Sequence, residues 1–311
     1  MKKVLSFLLV LSLVFVAACG GGGSEESSGN EGSGDGEKKL VIGAKNFTEQ
    51  FVLSKILSIY LKENGYEVEE KNNMASQVVR TALENQQVDL YWEYTGTSLV
   101  TYNDQDPIAD ADQAYEAVKE IDKKNGIVWL NPADVNNTYT LMMRQDDSDE
   151  LGIKTISDLA EYMNENPDEL LIGTNAEFAT RPDGIKGVQK TYGFEVPSSN
   201  LKKMDSGLFY QALRDGQVDV ATGFMTDSRI KAFDLVTLED DKNFFPAYHA
   251  AITVHEDSLA KYPELEELLK PLAENLDSET MMDLNYRVDI DEESETDVAR
   301  SWLVENGLIE E

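Results

Sequence analysis

Apolar and polar residues alternate along the chain with two spacings, which predict strands and helices in turn. Residues 40–43 form a short apolar run typical of a strand, and the apolar residues between 51 and 60 recur at helical spacing. Residues 88–92 again have the character of a buried strand. The order strand, helix, strand, helix, strand predicts a mainly parallel sheet with helices on both faces.

The same pattern occurs twice, at an offset of 130 residues. Residues 40–43 (Leu-Val-Ile-Gly) match 170–173 (Leu-Leu-Ile-Gly), and residues 82–90 match 212–220. Two copies of one α/β unit predict two lobes. Because ligands of such sheets lie at the carboxyl ends of strands, two facing copies place a binding site in the cleft between them.

The remaining segments predict how the lobes are joined. An apolar run at 138–143 is expected to carry the chain out of the first lobe, and the chain returns around 241–246. Two crossings form a hinge, so we predict an α/β clamshell whose lobes close on a small molecule. The predicted lobes are 39–143 plus 245–311 for lobe I and 144–244 for lobe II. Further helices are predicted at 110–125, 259–276, 278–286 and 295–305.

The first residues have the pattern of an export signal. Two lysines precede an apolar run that ends in small residues, which predicts a secretory signal peptide over 1–18. Cys19 follows directly and resembles the lipidated N-terminus of bacterial lipoproteins; residues 19–38 then predict a lipidated cysteine and a flexible Gly/Ser/Glu-rich tether. The alternative is an ordinary signal peptide beside a cysteine. We expect an extracytoplasmic protein, lipid-anchored to the outer face of the bacterial cell membrane.

Composition excludes several classes of function. The 311 residues include 27 Lys and Arg against 59 Asp and Glu, a net charge of −32, which argues against nucleic acid as a partner. One Cys and two His leave little material for disulfides, zinc clusters or Cys/His catalysis. No motif of a hydrolase, metalloprotease or phosphate-binding loop occurs in the sequence. We therefore predict that the protein is not an enzyme and needs no metal or cofactor.

Two aromatic residues occupy equivalent positions of the repeat. Tyr94 follows the strand-like segment of the first half, and Phe224, 130 residues later, follows that of the second. Both are expected to face the cleft, although a ring after a strand also packs commonly in a core. Small polar residues follow each ring and are suited to capping a helix.

Eight short segments along the chain carry a family resemblance. They are 42–50 (IGAKNFTEQ), 93–97 (EYTGT), 136–140 (NNTYT), 181–184 (RPDG), 224–228 (FMTDS), 238–242 (LEDDK), 244–248 (FFPAY) and 284–286 (LNY). Together they strongly resemble the substrate-binding lipoproteins of OpuC-type ABC importers for glycine betaine, carnitine and choline. The resemblance extends in order from Lys39 to the end of the chain. It implies a type II periplasmic-binding-protein fold, which agrees with the clamshell predicted above.

The resemblance also implies a set of ligand-binding residues. The implied aromatic cage for a quaternary ammonium group is Tyr94, Tyr139, Phe224 and Tyr248. For a ligand carboxylate it implies Lys45, Asn137 and Thr97, and the positive charge of Lys45 favours betaines and carnitine over choline. The alternative for Lys45 is a solvated lysine at the end of a strand. Further candidates are Asn46, Arg181 and Asp227; helix capping is the alternative for Asn46, and structural ion pairing or capping for Arg181.

The partners implied are a small quaternary-ammonium ligand and an ABC permease with its cytoplasmic ATPase. The membrane is contacted through the lipid anchor only, no nucleic acid is bound, and the protein is expected to be a monomer. Two alternatives remain open from the sequence. One is a clamshell lipoprotein that binds another small solute, such as an amino acid; the other is a sensor of osmolytes without import.

Overall fold

The computed structural model describes residues 38–311. The predicted signal peptide, the predicted lipidation at Cys19 and nearly all of the predicted tether lie outside the described residues. The described residues, 38–311, form one compact unit.

Two five-stranded sheets organise the described chain. Their spatial orders are β2-β1-β3-β10-β4 and β7-β6-β8-β5-β9, so corresponding strands of the repeat occupy corresponding places. We call the parts built on them the first and second lobes. The strands are β1 Lys38–Lys45, β2 Tyr66–Met74, β3 Leu90–Tyr94, β4 Ile127–Asn136, β5 Tyr139–Arg144, β6 Ile172–Thr174, β7 Leu201–Lys203, β8 Val220–Phe224, β9 Leu235–Thr237 and β10 His249–His255.

Helices pack around both sheets, with α1 against α11, α12 and β2, and with α7 against β6 and β8. The predicted α/β clamshell fold is confirmed. The helices are α1 Thr48–Glu63, α2 Ser76–Glu84, α3 Ala111–Asp122, α4 Gln145–Leu151, α5 Ile156–Glu165, α6 Ile185–Tyr192, α7 Leu208–Arg214, α8 Arg229–Ala232, α9 Glu256–Lys261, α10 Leu265–Glu274, α11 Ser278–Asp289 and α12 Glu295–Glu305.

The sequence repeat has a counterpart in the hydrogen bonds. The backbone N–H of Val41 donates to the Asp89 carboxylate at 2.7 Å, and that of Leu171 donates to Asp219 at 2.9 Å. These two bonds are 130 residues apart, and each joins the first strand of a repeat to the residue before its third strand. Asp89 and Asp219 therefore occupy matching positions of the repeat because each fixes the same turn in its own lobe.

Each sheet is mixed rather than wholly parallel. In the first, β10 runs antiparallel between β3 and β4; in the second, β5 runs antiparallel between β8 and β9. The strand β5 belongs to the second sheet, so the first crossing lies at residues 137–138 and not after residue 143. The cause is the pairing of β5 with β8, which the apolar run itself did not reveal. With that change, the lobe limits remain a prediction.

Two helical segments differ from the prediction. The helix expected over 259–276 is two helices, α9 and α10, separated at Pro263, whose ring fixes φ and removes a backbone donor. A π-helix, Thr97–Tyr102, directly follows β3. Its first residue, Thr97, faces the cleft between the lobes, so the π-helix supplies one side chain to the candidate site.

Candidate functional site

A cavity of about 300 Å³ lies between the carboxyl ends of the parallel strands of both lobes. That volume is at the lower end of the range for sites that enclose small molecules. Nine of the ten predicted ligand-binding residues line it: Lys45, Asn46, Tyr94, Thr97, Asn137, Tyr139, Arg181, Phe224 and Tyr248. The tenth, Asp227, lies beside a smaller adjoining cavity.

Five aromatic rings form a continuous arc along the cavity wall. Phe47 lies between Tyr94 and Phe224, with ring centroids 6.3 and 5.2 Å away. Tyr139 lies next, 4.9 Å from Phe224 and 5.6 Å from Tyr248. The first lobe supplies Phe47, Tyr94 and Tyr248, whereas the second supplies Tyr139 and Phe224. Closing the lobes therefore assembles the arc.

Phe47 is the ring that the sequence analysis did not assign to the cage. It directly precedes α1 at the carboxyl end of β1, and its ring stacks on Phe224 of the other lobe with an interplanar angle of 15°. Tyr94 and Phe224 were found because they share a repeat position, but the repeat partner of Phe47 is Glu177. The available sequence signal for Phe47 was its place just after a predicted strand, because the repeat has no aromatic ring at the equivalent position.

Arg181 is a structural cation that binds two rings of the arc. Its Nε and Nη2 donate to the Asp183 carboxylate at 2.6 and 2.7 Å, and Nη2 also donates to the Tyr248 hydroxyl at 2.9 Å. Nη1 donates to the Tyr139 hydroxyl and to Glu177, at 3.4 and 3.2 Å. These bonds use all five guanidinium donors. Arg181 thus has no N–H left for a ligand, and structural pairing accounts for it.

The ring of Tyr248 packs directly against the backbone of Gly96, which has no side chain. A Cβ added to Gly96 would lie 2.9 Å from two ring carbons of Tyr248 and from the carbonyl oxygen of Ala247. The hydroxyl of Tyr248 also donates to Asp183. Burial is the largest cause of the raised pKa of Tyr248, so this hydroxyl stays protonated as a donor.

Lys45 does not bring an uncompensated positive charge to the cavity. Its ammonium is buried and forms an ion pair with Glu93, which is itself fully buried. Glu93 also accepts hydrogen bonds from the hydroxyls of Tyr91 and Tyr102, at 2.6 and 2.9 Å. The pair is neutral overall, so the premise that Lys45 repels pure cations loses its physical basis.

Glu49 lies directly behind the aromatic arc and accepts four hydrogen bonds. Its Oε1 accepts from the Tyr94 hydroxyl at 2.6 Å and from the Asn137 amide at 2.9 Å. Its Oε2 accepts from the Thr226 hydroxyl at 2.5 Å and from the Asn285 amide at 3.3 Å. Burial raises the pKa of the Glu49 carboxyl, and the four hydrogen bonds act in the opposite direction.

Asp227 has a structural role beside this carboxylate. It accepts a hydrogen bond from Arg229 Nε at 2.8 Å and forms an ion pair with the same guanidinium. Arg229 also lies 3.4 Å from Asp289 of the first lobe. Asp227 therefore orients an arginine that joins the lobes, and its side chain is outside the main cavity.

A model of the family described as the substrate-binding domain of ABC-type glycine betaine transport systems matches residues 38–305. The chain belongs to this family. Its members are substrate-binding proteins of ABC transporters rather than enzymes, and they bind a small molecule outside the cytoplasm for a permease with its ATPase. The family predicted from the sequence is thereby confirmed, as is the function of a substrate-binding protein.

Individual relatives cover nearly the whole chain. A glycine-betaine-binding protein of Pseudomonas aeruginosa is 40% identical over 277 residues, which is 88% of this chain and 89% of that protein. The carnitine transport binding protein OpuCC of Listeria monocytogenes is 33% identical over 310 residues, 98% of this chain and 96% of that one. A crystal structure described as a glycine betaine/carnitine/choline ABC transporter matches with a TM-score of 0.69 at 29% identity, covering 86% of this chain and 99% of the other.

Two further properties concern the described part of the chain. Between residues 38 and 311, no helix is long and apolar enough to span a membrane. In the same range, no cluster of His, Cys, Asp or Glu side chains is arranged to hold a metal ion.

Proposed function

We propose that this protein binds quaternary-ammonium osmoprotectants such as glycine betaine, carnitine, proline betaine or choline, and delivers them to an ABC permease. The observation that carries the proposal is the arc of five rings, to which both lobes contribute. Two relatives are named for glycine betaine and carnitine, and both of these ligands carry a quaternary ammonium group.

The chemistry of the ammonium group explains why rings suit it. A trimethylammonium group has no N–H to donate, and its charge is spread over a wide apolar surface. Aromatic faces attract such a cation through their quadrupoles at about 0.5–2 kcal/mol each. At the upper end of that range, four faces supply about 8 kcal/mol, the binding free energy of a micromolar complex. An amino-acid site would need a free carboxylate for the ammonium instead.

The other end of a betaine would meet polar groups of the first lobe and of the crossing between the lobes. Asn46, Thr97 and Asn137 line the cavity near the start of α1 and of the π-helix. We propose these three as the carboxylate-binding residues, with Lys45 contributing a hydrogen-bond donor rather than a net charge. Because the pair of Lys45 with Glu93 is neutral, choline remains in the proposed ligand class beside the betaines.

Attachment to the membrane is proposed through lipidated Cys19, with the protein acting as a monomer. We expect Cys19→Ala to abolish lipid labelling of the protein, because alanine has no thiol to be acylated. Metabolic labelling with a palmitate analogue, followed by fractionation, measures this. Persistent membrane association and labelling of the alanine variant would contradict a lipid anchor at Cys19.

The ligand class is tested by a thermal-shift screen of the full chain purified in detergent. The panel is glycine betaine, proline betaine, carnitine, choline and a set of amino acids. A ligand at a hundred times its dissociation constant adds about 2.7 kcal/mol of stability, which raises the melting temperature by roughly 5–10 °C in a protein of this size. We expect this shift with at least one quaternary ammonium compound and none with the amino acids.

The pattern of shifts then separates the alternatives. Stabilisation by betaines and choline together fits a neutral pair at Lys45, whereas betaines alone would restore a charge-based role for that lysine. Stabilisation by amino acids only, or by nothing in the panel, would overturn the proposed ligand class while leaving the family assignment intact.

A further inference from the structure

We infer that Glu49 is a positioning residue that couples the Tyr94 ring of the cage to closure of the two lobes. The inference rests on the proposed function for its ligand, but its geometry is independent of the ligand's identity. Glu49 lines the smaller adjoining cavity and not the main one, and it contacts the cage through the Tyr94 hydroxyl.

The four donors to Glu49 come from four separate parts of the fold. Tyr94 ends β3, and Asn285 lies on α11 in the first lobe. Asn137 lies in the two-residue crossing between the lobes, and Thr226 follows β8 in the second lobe. One buried carboxylate therefore joins a cage ring, the crossing and the opposite lobe.

The bond to Thr226 is the part of this arrangement that depends on closure. Glu49 is at the first turn of α1, in the first lobe, and Thr226 is two residues beyond Phe224 in the second. The Thr226 carbonyl also accepts a hydrogen bond from Asn285 at 3.1 Å, so α11 binds the same segment. Separating the lobes breaks both bonds and leaves the Glu49 carboxyl group and the Thr226 carbonyl without these donors, which opposes opening.

The same carboxylate fixes the orientation of Tyr94. The Tyr94 hydroxyl donates to Glu49 at 2.6 Å and accepts from Gln50 at 3.1 Å. Its proton and one of its lone pairs are both used in hydrogen bonds, which fixes the position of the ring. When the lobes close, Thr226 completes the hydrogen bonds of Glu49 while Phe224 reaches Phe47. Ring placement and closure therefore share one acceptor.

The test compares Glu49→Gln, Thr226→Val and the double variant in the full chain, with stopped-flow binding of the osmoprotectant found in the screen. Glutamine keeps the shape but presents an amide nitrogen, which cannot accept a hydrogen bond, to one or more of the four donors. We expect each single variant to release ligand about tenfold faster, with the association rate unchanged within about twofold. Because Thr226 acts through Glu49, the double variant should be no worse than Glu49→Gln alone.

A matched control is Glu264→Gln. The Glu264 carboxylate likewise accepts a tyrosine hydroxyl, that of Tyr66 at 2.8 Å, but it directly precedes α10 and lines neither the main cavity nor the smaller adjoining one. Its ligand release rate should not change. Equal acceleration in this control, additive effects in the double variant, or unchanged release in Glu49→Gln would each overturn the inference.

A second measurement needs no ligand. Amide hydrogen exchange over residues 225–230 should be faster in both single variants than in the unmodified chain, because this segment loses its tie to α1. Unchanged exchange there would also overturn the inference. If the unmodified chain bound no compound of the panel, the proposed function would fail, whereas the exchange comparison would still decide the role of Glu49.

Discussion

Phe224→Leu is expected to weaken binding of the quaternary ammonium ligand by about tenfold, and combining it with Phe47→Leu should give roughly a hundredfold loss. Leucine fills much of the same apolar volume but has no quadrupole to attract a cation. Phe224 suits this test because its ring lies in the arc between Phe47 and Tyr139. Isothermal titration with the ligand from the screen measures the change.

Two comparisons make this result specific to the cage. Phe224→Tyr keeps the aromatic face and should retain affinity within about threefold. Phe233→Leu makes the same change at another ring of the second lobe, whose centroid lies 4.5 Å from the guanidinium carbon of Arg214. Because Phe233 is outside the main cavity, this variant should leave ligand affinity unaltered. Full affinity in Phe224→Leu would remove the ring arc as the ammonium site.

Arg181→Met is expected to destabilise the protein by about 3–5 kcal/mol, because it leaves the Asp183 carboxylate buried without its cation. The variant also removes the hydrogen bonds that Arg181 donates to the hydroxyls of Tyr139 and Tyr248, so ligand affinity should fall as well. Urea unfolding followed by tryptophan fluorescence measures the free energy of unfolding, and titration of the folded variant measures binding.

The matched control for this change is Arg214→Met. Arg214 also pairs with a nearby aspartate, Asp215 at 2.8 Å, but both side chains are close to half exposed. Its loss should cost far less stability than the loss of Arg181, because water already solvates both charges of this exposed pair. The double variant Arg181→Met, Asp183→Asn should recover most of the lost stability, since no charge is then buried alone. A stable single variant would show that Asp183 does not depend on its guanidinium.

The fold could be predicted largely because the chain contains the same α/β sequence pattern twice. Asp89 and Asp219 make the same backbone contact in each lobe, and the strand preceding Tyr94 has its equivalent before Phe224. Local periodicity is sufficient for such elements. The antiparallel strands β5 and β10 could not be placed in this way, because their partners lie far away in sequence and apolar runs do not encode pairing.

The candidate site was predictable to the extent that position along the chain determines it. Nine of the ten predicted residues line one cavity, since most of them lie at or near the ends of strands that meet there. Their individual roles were less accessible. The carboxylate that neutralises Lys45 lies 48 residues away in sequence, and two of the groups that occupy the N–H donors of Arg181, the hydroxyls of Tyr139 and Tyr248, come from segments 42 and 67 residues away.

By itself, the sequence determined the order of elements, the duplicated α/β unit and the aromatic residues at the ends of Leu90–Tyr94 and Val220–Phe224. These follow from hydrophobic spacing and from side-chain type, which are properties of neighbouring residues. Only the tertiary structure decided that Phe47 completes the ring arc, that Glu93 cancels the charge of Lys45, and that Glu49 joins the lobes. The physical reason is that electrostatic pairing and ring stacking act over a few ångströms in space, between groups that folding alone brings together.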